Sequence, residues 1–246
     1  MSDALQPLAE KLRPKNFDEI IGHDTILSKT GSLKRIIKKK PLSSFILWGP
    51  AGCGKTTIAK IISKECCIED LELSSVLYGV KDLRIVFEKA KSNYSEGWQT
   101  ILFIDEIHRF NKAQQDIFLP YIEKGILTLI SATTENPSFS IISPLLSRCQ
   151  VIKIEKLCKE DLNFIKLKAE KFFGFDLPIT KSASEILFEM VDGDARYFLN
   201  LIIEIFFFGD EYKKLEPKDL KKLFNMKFSD YDKNNDQYFN KNQYKV

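Results

Sequence analysis

The 246-residue sequence has no long hydrophobic run and almost no net charge. Its longest apolar stretch, residues 199–208, includes Asn200 and Glu204 and is shorter than the roughly 20 residues that span a bilayer, so neither a membrane span nor a membrane partner is expected. The N-terminus lacks the apolar segment of a secretory signal, and we therefore expect a cytoplasmic protein. A formal net charge of only +3 does not by itself indicate a nucleic-acid partner, so any such contact must be local.

Cysteine and histidine are scarce and do not form a metal-binding pattern. The 5 cysteines include no CxxC pair, and the 2 histidines are not at metal-ligand spacing from them. A zinc site and a disulfide framework are therefore not predicted. His108 lies two residues after Glu106, and we interpret it as a residue that helps to hold that part of the chain.

The sequence does contain a full match to the phosphate-binding loop pattern GxxxxGK[ST], at residues 49–56. An apolar run of strand length, Phe45–Trp48, precedes it, and a segment with an apolar helical face follows it. The glycines allow a tight turn that aims backbone N–H groups at a phosphate, and the helix dipole adds to the attraction. Lys55 would reach the β- and γ-phosphates, and Thr56 would hold Mg²⁺. The residues predicted to bind the nucleotide here are Gly49, Pro50, Ala51, Gly52, Cys53, Gly54, Lys55, Thr56 and Thr57.

Strands and helices alternate over most of the chain. This alternation of apolar strands with amphipathic helices predicts an α/β fold with a mostly parallel, five-stranded sheet covered on both faces. After about residue 155 only helical patterns remain, so we expect an α/β domain at 1–155, a small all-helical domain at 156–228 and a polar tail at 229–246. The predicted strands are 45–48, 70–73, 100–104, 127–132 and 151–154, and the predicted helices are 55–65, 80–92, 112–122, 160–173, 182–191, 195–208 and 217–224.

Two carboxylates follow the apolar strand at 100–104. Beside a phosphate loop, Asp105 can hold Mg²⁺ and Glu106 can polarise a water molecule for attack on the γ-phosphate. Adjacent side chains at a strand end point in different directions, so one can serve the metal and the other the water. An isolated Asp-Glu turn is usually only solvated, but the spacing of about fifty residues after the loop favours the functional interpretation.

The strand at 127–132 also ends in polar residues. Thr133, Thr134 or Asn136 could orient the attacking water, or these three residues could merely satisfy a turn. Arg148 precedes the last predicted strand, where an arginine usually forms a surface salt bridge. Arg196 lies near a helix start, where the helix dipole disfavours a cation. We therefore expect its side chain to pair with a negatively charged group, which could be a triphosphate, Asp194 or Glu189.

The N-terminal arm contains Arg13, Pro14 and Ile21, and its proline and glycine argue against one continuous helix. We expect the apolar side chains of this arm to pack against another apolar surface. A flat adenine ring is one candidate, and the protein's own core is the ordinary alternative.

Together these motifs resemble the AAA+ ATPases, and more narrowly the replication-associated recombination ATPases known as RarA or MgsA, which are related to clamp-loader subunits and the RuvB branch-migration motor. The resemblance covers nearly the whole chain. It depends on LRP at 12–14, GPAGCGKTT at 49–57, GVKDLR at 79–84, FIDEIHRFNKAQQDIFLPYIEKG at 103–125, SATTENPSF at 131–139, LLSRC at 145–149 and GDARYFLN at 193–200.

This resemblance implies a P-loop AAA+ domain followed by a helical lid, with ATP and Mg²⁺ as cofactors. It also implies that Thr133 or Thr134 is the sensor-1 residue, with Asn136 a rival, and that Arg148 is an arginine finger reaching into a neighbouring subunit. Arg196 would be the sensor-2 residue, and Arg13, Pro14 and Ile21 would line the adenine. Hydrolysis would then depend on oligomerisation.

The resemblance further implies action on DNA forks, ends or single-strand gaps in replication-fork maintenance, recombination and repair. Such a protein would associate with the nucleoid and could meet a single-strand-binding protein or replisome components. Any of the basic residues Lys81, Arg84, Arg109 and Lys112 could contact the phosphate backbone of the DNA.

Members of this family usually continue into a C-terminal domain that forms the tetramer, whereas this sequence stops at residue 246, which leaves the homo-oligomer open. Two alternatives therefore stand beside the DNA-acting ATPase. One is a truncated nucleotide-binding module with little turnover, and the other is a clamp-loader-like subunit that works with other ATPase chains.

Overall fold

The structure is a computed structural model that describes residues 6–38, 40–65, 69–74, 80–208 and 214–224. The predicted polar tail at 229–246 and the side chain of Lys81 lie outside the described residues.

A parallel sheet forms the centre of the first part of the chain. The 5-stranded sheet has the order β2-β3-β4-β1-β5, and every pairing in it is parallel. Strand β4 is buried at every position, and β1 and β3 are buried at all but their last residue, as expected when both faces of a parallel sheet are covered. The predicted α/β class with a parallel sheet is therefore confirmed. The strands are β1 (Phe45–Trp48), β2 (Glu69–Ser74), β3 (Thr100–Asp105), β4 (Leu127–Thr133) and β5 (Gln150–Lys153).

Helices connect the strands and then continue alone after β5. Residues 217–224 are also helical, and short 3₁₀ turns occur at Phe17–Glu19 and Ile107–Arg109. The helices are α1 (Leu8–Lys11), α2 (Asp24–Leu27), α3 (Ser32–Ile37), α4 (Lys55–Glu65), α5 (Val80–Ser95), α6 (Lys112–Asp116), α7 (Leu119–Glu123), α8 (Pro137–Ser140), α9 (Ser143–Leu146), α10 (Lys159–Phe173), α11 (Lys181–Val191) and α12 (Ala195–Phe208).

The single helix predicted at 112–122 is wrong, because the structure divides it into α6 and α7. Pro120 lies in the first turn of α7. A proline has no N–H to donate and its ring collides with the carbonyl four residues earlier, so it strongly disfavours an unbroken helix through this position. The other predicted elements lie within three residues of the observed boundaries.

Three groups of buried apolar side chains hold these elements together. Two of them lie against the sheet, one with α3 and α4 and the other with α5 and the segments between β3 and β5. The third joins α10, α11, α12 and residues 217–224, and Leu8 of the N-terminal arm belongs to it. The arm thus packs against the helical part of the chain and runs from there toward the sheet.

Candidate functional site

The site lies where three neighbouring strands end. Strands β3, β4 and β1 are adjacent and parallel, so their carboxyl ends meet at one edge of the sheet. Trp48 is in register with Thr133, and the next residue, Gly49, donates its N–H to the Thr133 carbonyl at 3.2 Å. Asp105 is the last residue of β3. The phosphate loop, the carboxylates and the threonines predicted from sequence therefore meet at one edge.

The phosphate loop turns tightly between β1 and α4. Gly52 has φ of +65° and Gly54 has φ of +96°, a region that side chains other than glycine rarely adopt. Lys55 opens α4 and is only 6% exposed. Its Nζ donates to the carbonyls of Gly49 at 2.8 Å and Pro50 at 2.6 Å. A buried ammonium group therefore lies directly over the loop, where it can meet a phosphate.

Cys53 fills the inside of this loop. It is 1% exposed, its thiol donates to the Pro50 carbonyl at 3.0 Å, and burial raises its pKa. A buried thiol with a raised pKa is a poor nucleophile. Cys53 therefore acts as a small packing residue within the loop.

Thr56 and Asp105 bring two oxygen ligands together. The Thr56 hydroxyl donates to Asp105 Oδ2 at 3.1 Å across a separation of 49 residues. Hydroxyl and carboxylate oxygens are the ligands that Mg²⁺ prefers, and Mg²⁺ is commonly held by one or two protein groups together with phosphate oxygens. The pair fits a magnesium ion held beside a nucleotide.

Glu106 adopts an unusual backbone conformation and is held firmly by its neighbours. Its φ is +53°, in the left-handed region. The N–H and the hydroxyl of Thr134 both donate to Glu106 Oε2 at 3.2 Å, and His108 Nδ1 lies 3.1 Å from the same oxygen. His108 Nδ1 also lies 2.9 Å from Thr133 Oγ1. The predicted role of His108 in holding this part of the chain thus corresponds to direct contacts.

The three residues at the end of β4 that were predicted as candidates to orient the attacking water have different surroundings. Thr133 is fully buried and its hydroxyl contacts His108, while Thr134 binds Glu106 directly. The Asn136 side chain instead accepts from Ser138 N–H at 3.0 Å and caps α8. The structure therefore joins Thr134 to Glu106 directly and Thr133 to Glu106 only through His108. The Asn136 amide lies in a turn, as the alternative interpretation predicted.

A cleft joins the phosphate loop to the N-terminal arm and the helical part of the chain. Arg13, which pairs with Glu10 at 2.6 Å, has a buried Nε without a hydrogen-bond partner among the described residues. Leu157 and Leu199 supply apolar walls from the helical part. The predicted residues that line the cleft are Arg13, Pro14, Ile21, Ala51, Gly52, Cys53, Gly54, Lys55, Thr56, Thr57, Asp105, Glu106 and Arg196.

The two predicted arginines lie in different places. Arg196 lines the cleft, whereas its alternative partners are engaged elsewhere, since Asp194 caps α12 by accepting from Tyr197 N–H and Glu189 pairs with Lys159. Arg148 is exposed and does not line the cleft. Its guanidinium pairs with Glu123 and donates to the Pro144 carbonyl at 2.7 Å.

Comparison with known proteins agrees with this geometry. Residues 45–157 match the family described as "ATPase family associated with various cellular activities (AAA)". This match contains the loop, both carboxylates and the polar end of β4. Residues 45–157 belong to the AAA ATPase family.

Within this AAA family, the narrower resemblance to the replication-associated recombination proteins is also confirmed. The chain is 38% identical, over 96% of its length, to replication-associated recombination protein A of Escherichia coli. It is 46% identical, over 80% of its length, to the ATPase WRNIP1 of Dictyostelium discoideum. It covers 55% of the first relative and 23% of the second, so the chain spans about half the length, or less, of these curated relatives.

The AAA fold is also shared with solved structures. A mutant RuvB of Thermotoga maritima superposes with a TM-score of 0.69 at 26% identity, and the match covers 87% of this chain and 73% of that one. Among the described residues, no helix combines the length and the apolar character needed to cross a membrane.

Sequence reasoning missed two polar side chains that line this cleft. His23 comes from the N-terminal arm and Lys168 from α10, so both reach the cleft from outside the sheet edge. A single histidine and one of many lysines give no signal in a sequence. Only the fold, which carries the arm and α10 to the phosphate loop, places them there.

Proposed function

We propose that this chain binds ATP with Mg²⁺ and hydrolyses it, and that the hydrolysis drives work on DNA during replication-associated recombination. The observation that carries the proposal is the joining of Lys55, Thr56, Asp105 and Glu106 around one cleft. These are the four groups that cradle phosphate, hold magnesium and activate water in P-loop ATPases.

Glu106 is the group that would activate the attacking water. Thr134 and His108 fix one of its carboxylate oxygens by contacts of 3.1 to 3.2 Å, which sets the direction of the carboxylate. Asp105 and Thr56 would hold Mg²⁺, which supplies charge neutralisation at the β- and γ-phosphates when it is bound. When a nucleotide binds, the Lys55 ammonium group would donate hydrogen bonds to phosphate oxygens in place of the Gly49 and Pro50 carbonyls.

The helical part of the chain would act as a lid. Arg196 reaches the cleft from α12, and a lid that contacts the γ-phosphate can change position when that phosphate is released. Arg13, Pro14 and Ile21, which line the same cleft, would surround the adenine. The sensor-2 role of Arg196 and the adenine pocket are thus supported by their position along one continuous cleft.

Arg148 would act in a neighbouring subunit. It is exposed and lies away from its own cleft, as required of an arginine supplied in trans. Such a cation stabilises charge on the transferred phosphoryl group and contributes about 10³- to 10⁵-fold to the rate in comparable enzymes. Assembly into a homo-oligomer would then be a condition for turnover.

The names of the relatives support the DNA-directed part of the proposal. Replication-associated recombination protein A is named for that process, and the chain resembles it over 96% of its own length. Arg84, Arg109 and Lys112 are exposed and available for phosphate-backbone contacts, which would be salt-sensitive and independent of sequence.

One observation favours the alternative, a nucleotide-binding module with little turnover of its own. Arg148 is engaged within its own chain by Glu123 and the Pro144 carbonyl, so these contacts must open before it can reach another subunit. The remainder of the longer relatives could supply the assembly that opens them.

The two candidates differ in how the ATPase rate depends on protein concentration. We expect the rate per chain to rise with concentration and with added forked DNA, and Arg148→Ala to abolish the rise while leaving ATP binding intact. Glu123→Ala serves as the matched variant, because it releases Arg148 without removing it and should keep or increase the activity. A low rate that neither concentration nor Arg148→Ala changes, with ATP still bound, would instead support the nucleotide-binding module.

A further inference from the structure

His23 contacts the phosphate loop from the N-terminal arm. Its Nε2 lies 2.8 Å from the carbonyl oxygen of Cys53, a residue 30 positions later in the chain. Its backbone has φ of +65° and ψ of +25°, in the left-handed region. A non-glycine residue in this region is strained and persists only where the surrounding structure holds it, often at a functional site.

The neighbouring backbone fixes His23 from both sides. On one side, Gly22 has φ of +77°, and a Cβ there would come within 2.8 Å of Asp161 Oδ2 and 3.0 Å of Leu157 Cδ2. On the other side, the His23 carbonyl accepts from the N–H groups of Ile26 and Leu27, both at 3.0 Å. The backbone at Gly22 and His23 is therefore constrained on both sides, and it holds the imidazole ring against the phosphate loop.

The hydrogen bond has a defined direction. A carbonyl oxygen can only accept, so Nε2 must carry the proton, whether the ring is neutral or protonated. The Cys53 carbonyl and the Gly54 N–H belong to the same planar trans peptide and point in opposite directions. By holding the carbonyl, His23 sets the orientation of the Gly54 N–H within a loop whose N–H groups bind phosphate.

We propose that His23 is a positioning residue for the phosphate loop, which fixes the Cys53–Gly54 peptide in the orientation that binds the phosphates of a nucleoside di- or triphosphate. The inference rests on the proposed nucleotide binding and deepens it. Neither the loop pattern nor the acidic pair implies this contact, because it comes from an arm outside both.

Two amide substitutions separate positioning from stability. Asparagine tolerates the left-handed conformation better than most residues, but its amide is one methylene shorter than that of glutamine. Glutamine can present an N–H to the Cys53 carbonyl but fits the backbone conformation less well. The two requirements therefore rank His23→Asn and His23→Gln in opposite orders, with Asn favoured for stability and Gln favoured for nucleotide binding.

The test measures the affinity of the full chain for Mg²⁺-ADP by calorimetry, and thermal unfolding in parallel. We expect His23→Asn to weaken ADP binding about tenfold, the effect of losing one positioned hydrogen bond. His23→Gln should stay within about threefold of the wild-type affinity despite equal or lower stability. Asp24→Asn, an exposed neighbour outside the cleft, should match the wild type.

The KM for ATP should follow the same order as the ADP affinities, with kcat less affected. Wild-type affinity in His23→Asn, or equal losses in the Asn and Gln variants, would overturn the positioning role. Failure of the wild-type chain to bind ADP would instead overturn the proposed function itself, so the two failures are distinguishable.

Discussion

At the scale of single residues, the site depends on conformations that cost free energy. Glu106 occupies the left-handed region, which an acidic side chain adopts only when its surroundings require it. Thr134 and His108 meet that requirement, because they bind one carboxylate oxygen from two directions. A strained residue held by several groups at the mouth of a cleft is typical of a catalytic position.

Glu106→Gln tests this assignment. The amide keeps an oxygen that can accept from Thr134, so the fold and ATP binding should be retained, but it can no longer take a proton from water. We expect kcat for ATP to fall about 10²- to 10³-fold, in the range of a lost general base, with the ATP dissociation constant within about threefold of wild type.

The matched control is Glu135→Gln. Glu135 Oε1 lies 3.8 Å from His108 Nε2 and its side chain is 59% exposed, so it is a neighbouring carboxylate without a contact to Glu106. Its kcat should stay within about twofold of wild type. Equal losses in the two variants would show that general negative charge, and not the specific carboxylate of Glu106, supports turnover.

At the scale of elements, the sequence predicts best where burial dictates residue type. The strands β1, β3 and β4 are continuous apolar runs because both of their faces are covered, and such runs are visible in a sequence. The break between α6 and α7 was missed, although Pro120 marks it, because the apolar spacing continues across the break. Contacts such as His23 with Cys53 depend on how distant segments pack, and no local pattern records them.

The turn that leads from Glu106 into α6 is itself stabilised by a cap. Asn111 Oδ1 accepts from Gln114 N–H, and Asn111 N–H donates to Gln114 Oε1, both at 2.9 Å. This reciprocal pair is a capping box that satisfies two backbone donors at the start of the helix. It also fixes the chain directly after the 3₁₀ turn that contains His108.

Asn111→Ala should lower the free energy of unfolding by about 1 kcal/mol, as expected for the loss of an N-cap acceptor. Asn111→Asp keeps an acceptor at the same position and should stay within about 0.5 kcal/mol of wild type. Urea denaturation measures both, with Lys112→Ala as the control at the adjacent exposed position. A cap contribution is excluded if Asn111→Ala is as stable as the wild type.

At the scale of the whole molecule, the helical part of the chain meets the phosphate loop directly. The N–H of Ala195, the first residue of α12, donates to the Gly52 carbonyl at 3.2 Å. The space above Gly52 is filled by Asp194, since a Cβ there would come within 1.8 Å of Asp194 Oδ1. Asp194 therefore places a negative charge beside the loop that is proposed to bind phosphate.

This arrangement predicts that Asp194 weakens nucleotide binding while it caps α12. Asp194→Asn should keep an acceptor for the Tyr197 N–H, now at 2.9 Å from Asp194 Oδ1, and should remove the charge. A unit charge near a phosphate at a solvated surface contributes on the order of 0.5 to 1 kcal/mol. We therefore expect the variant to bind ATP about two- to fivefold more tightly at low salt, with the difference shrinking as salt is added.

Asp192→Asn is the matched control, because Asp192 is an exposed carboxylate two residues earlier whose partner is Lys156. Calorimetric titration with ATP at two salt concentrations compares both variants with the wild type. Tighter binding in Asp194→Asn alone would mean that Asp194, in the first turn of α12, repels the bound phosphates. A bound nucleotide would then also influence the position of the helical part. Weaker binding would contradict this, because it would mean that the carboxylate supports the loop more than it repels the phosphates.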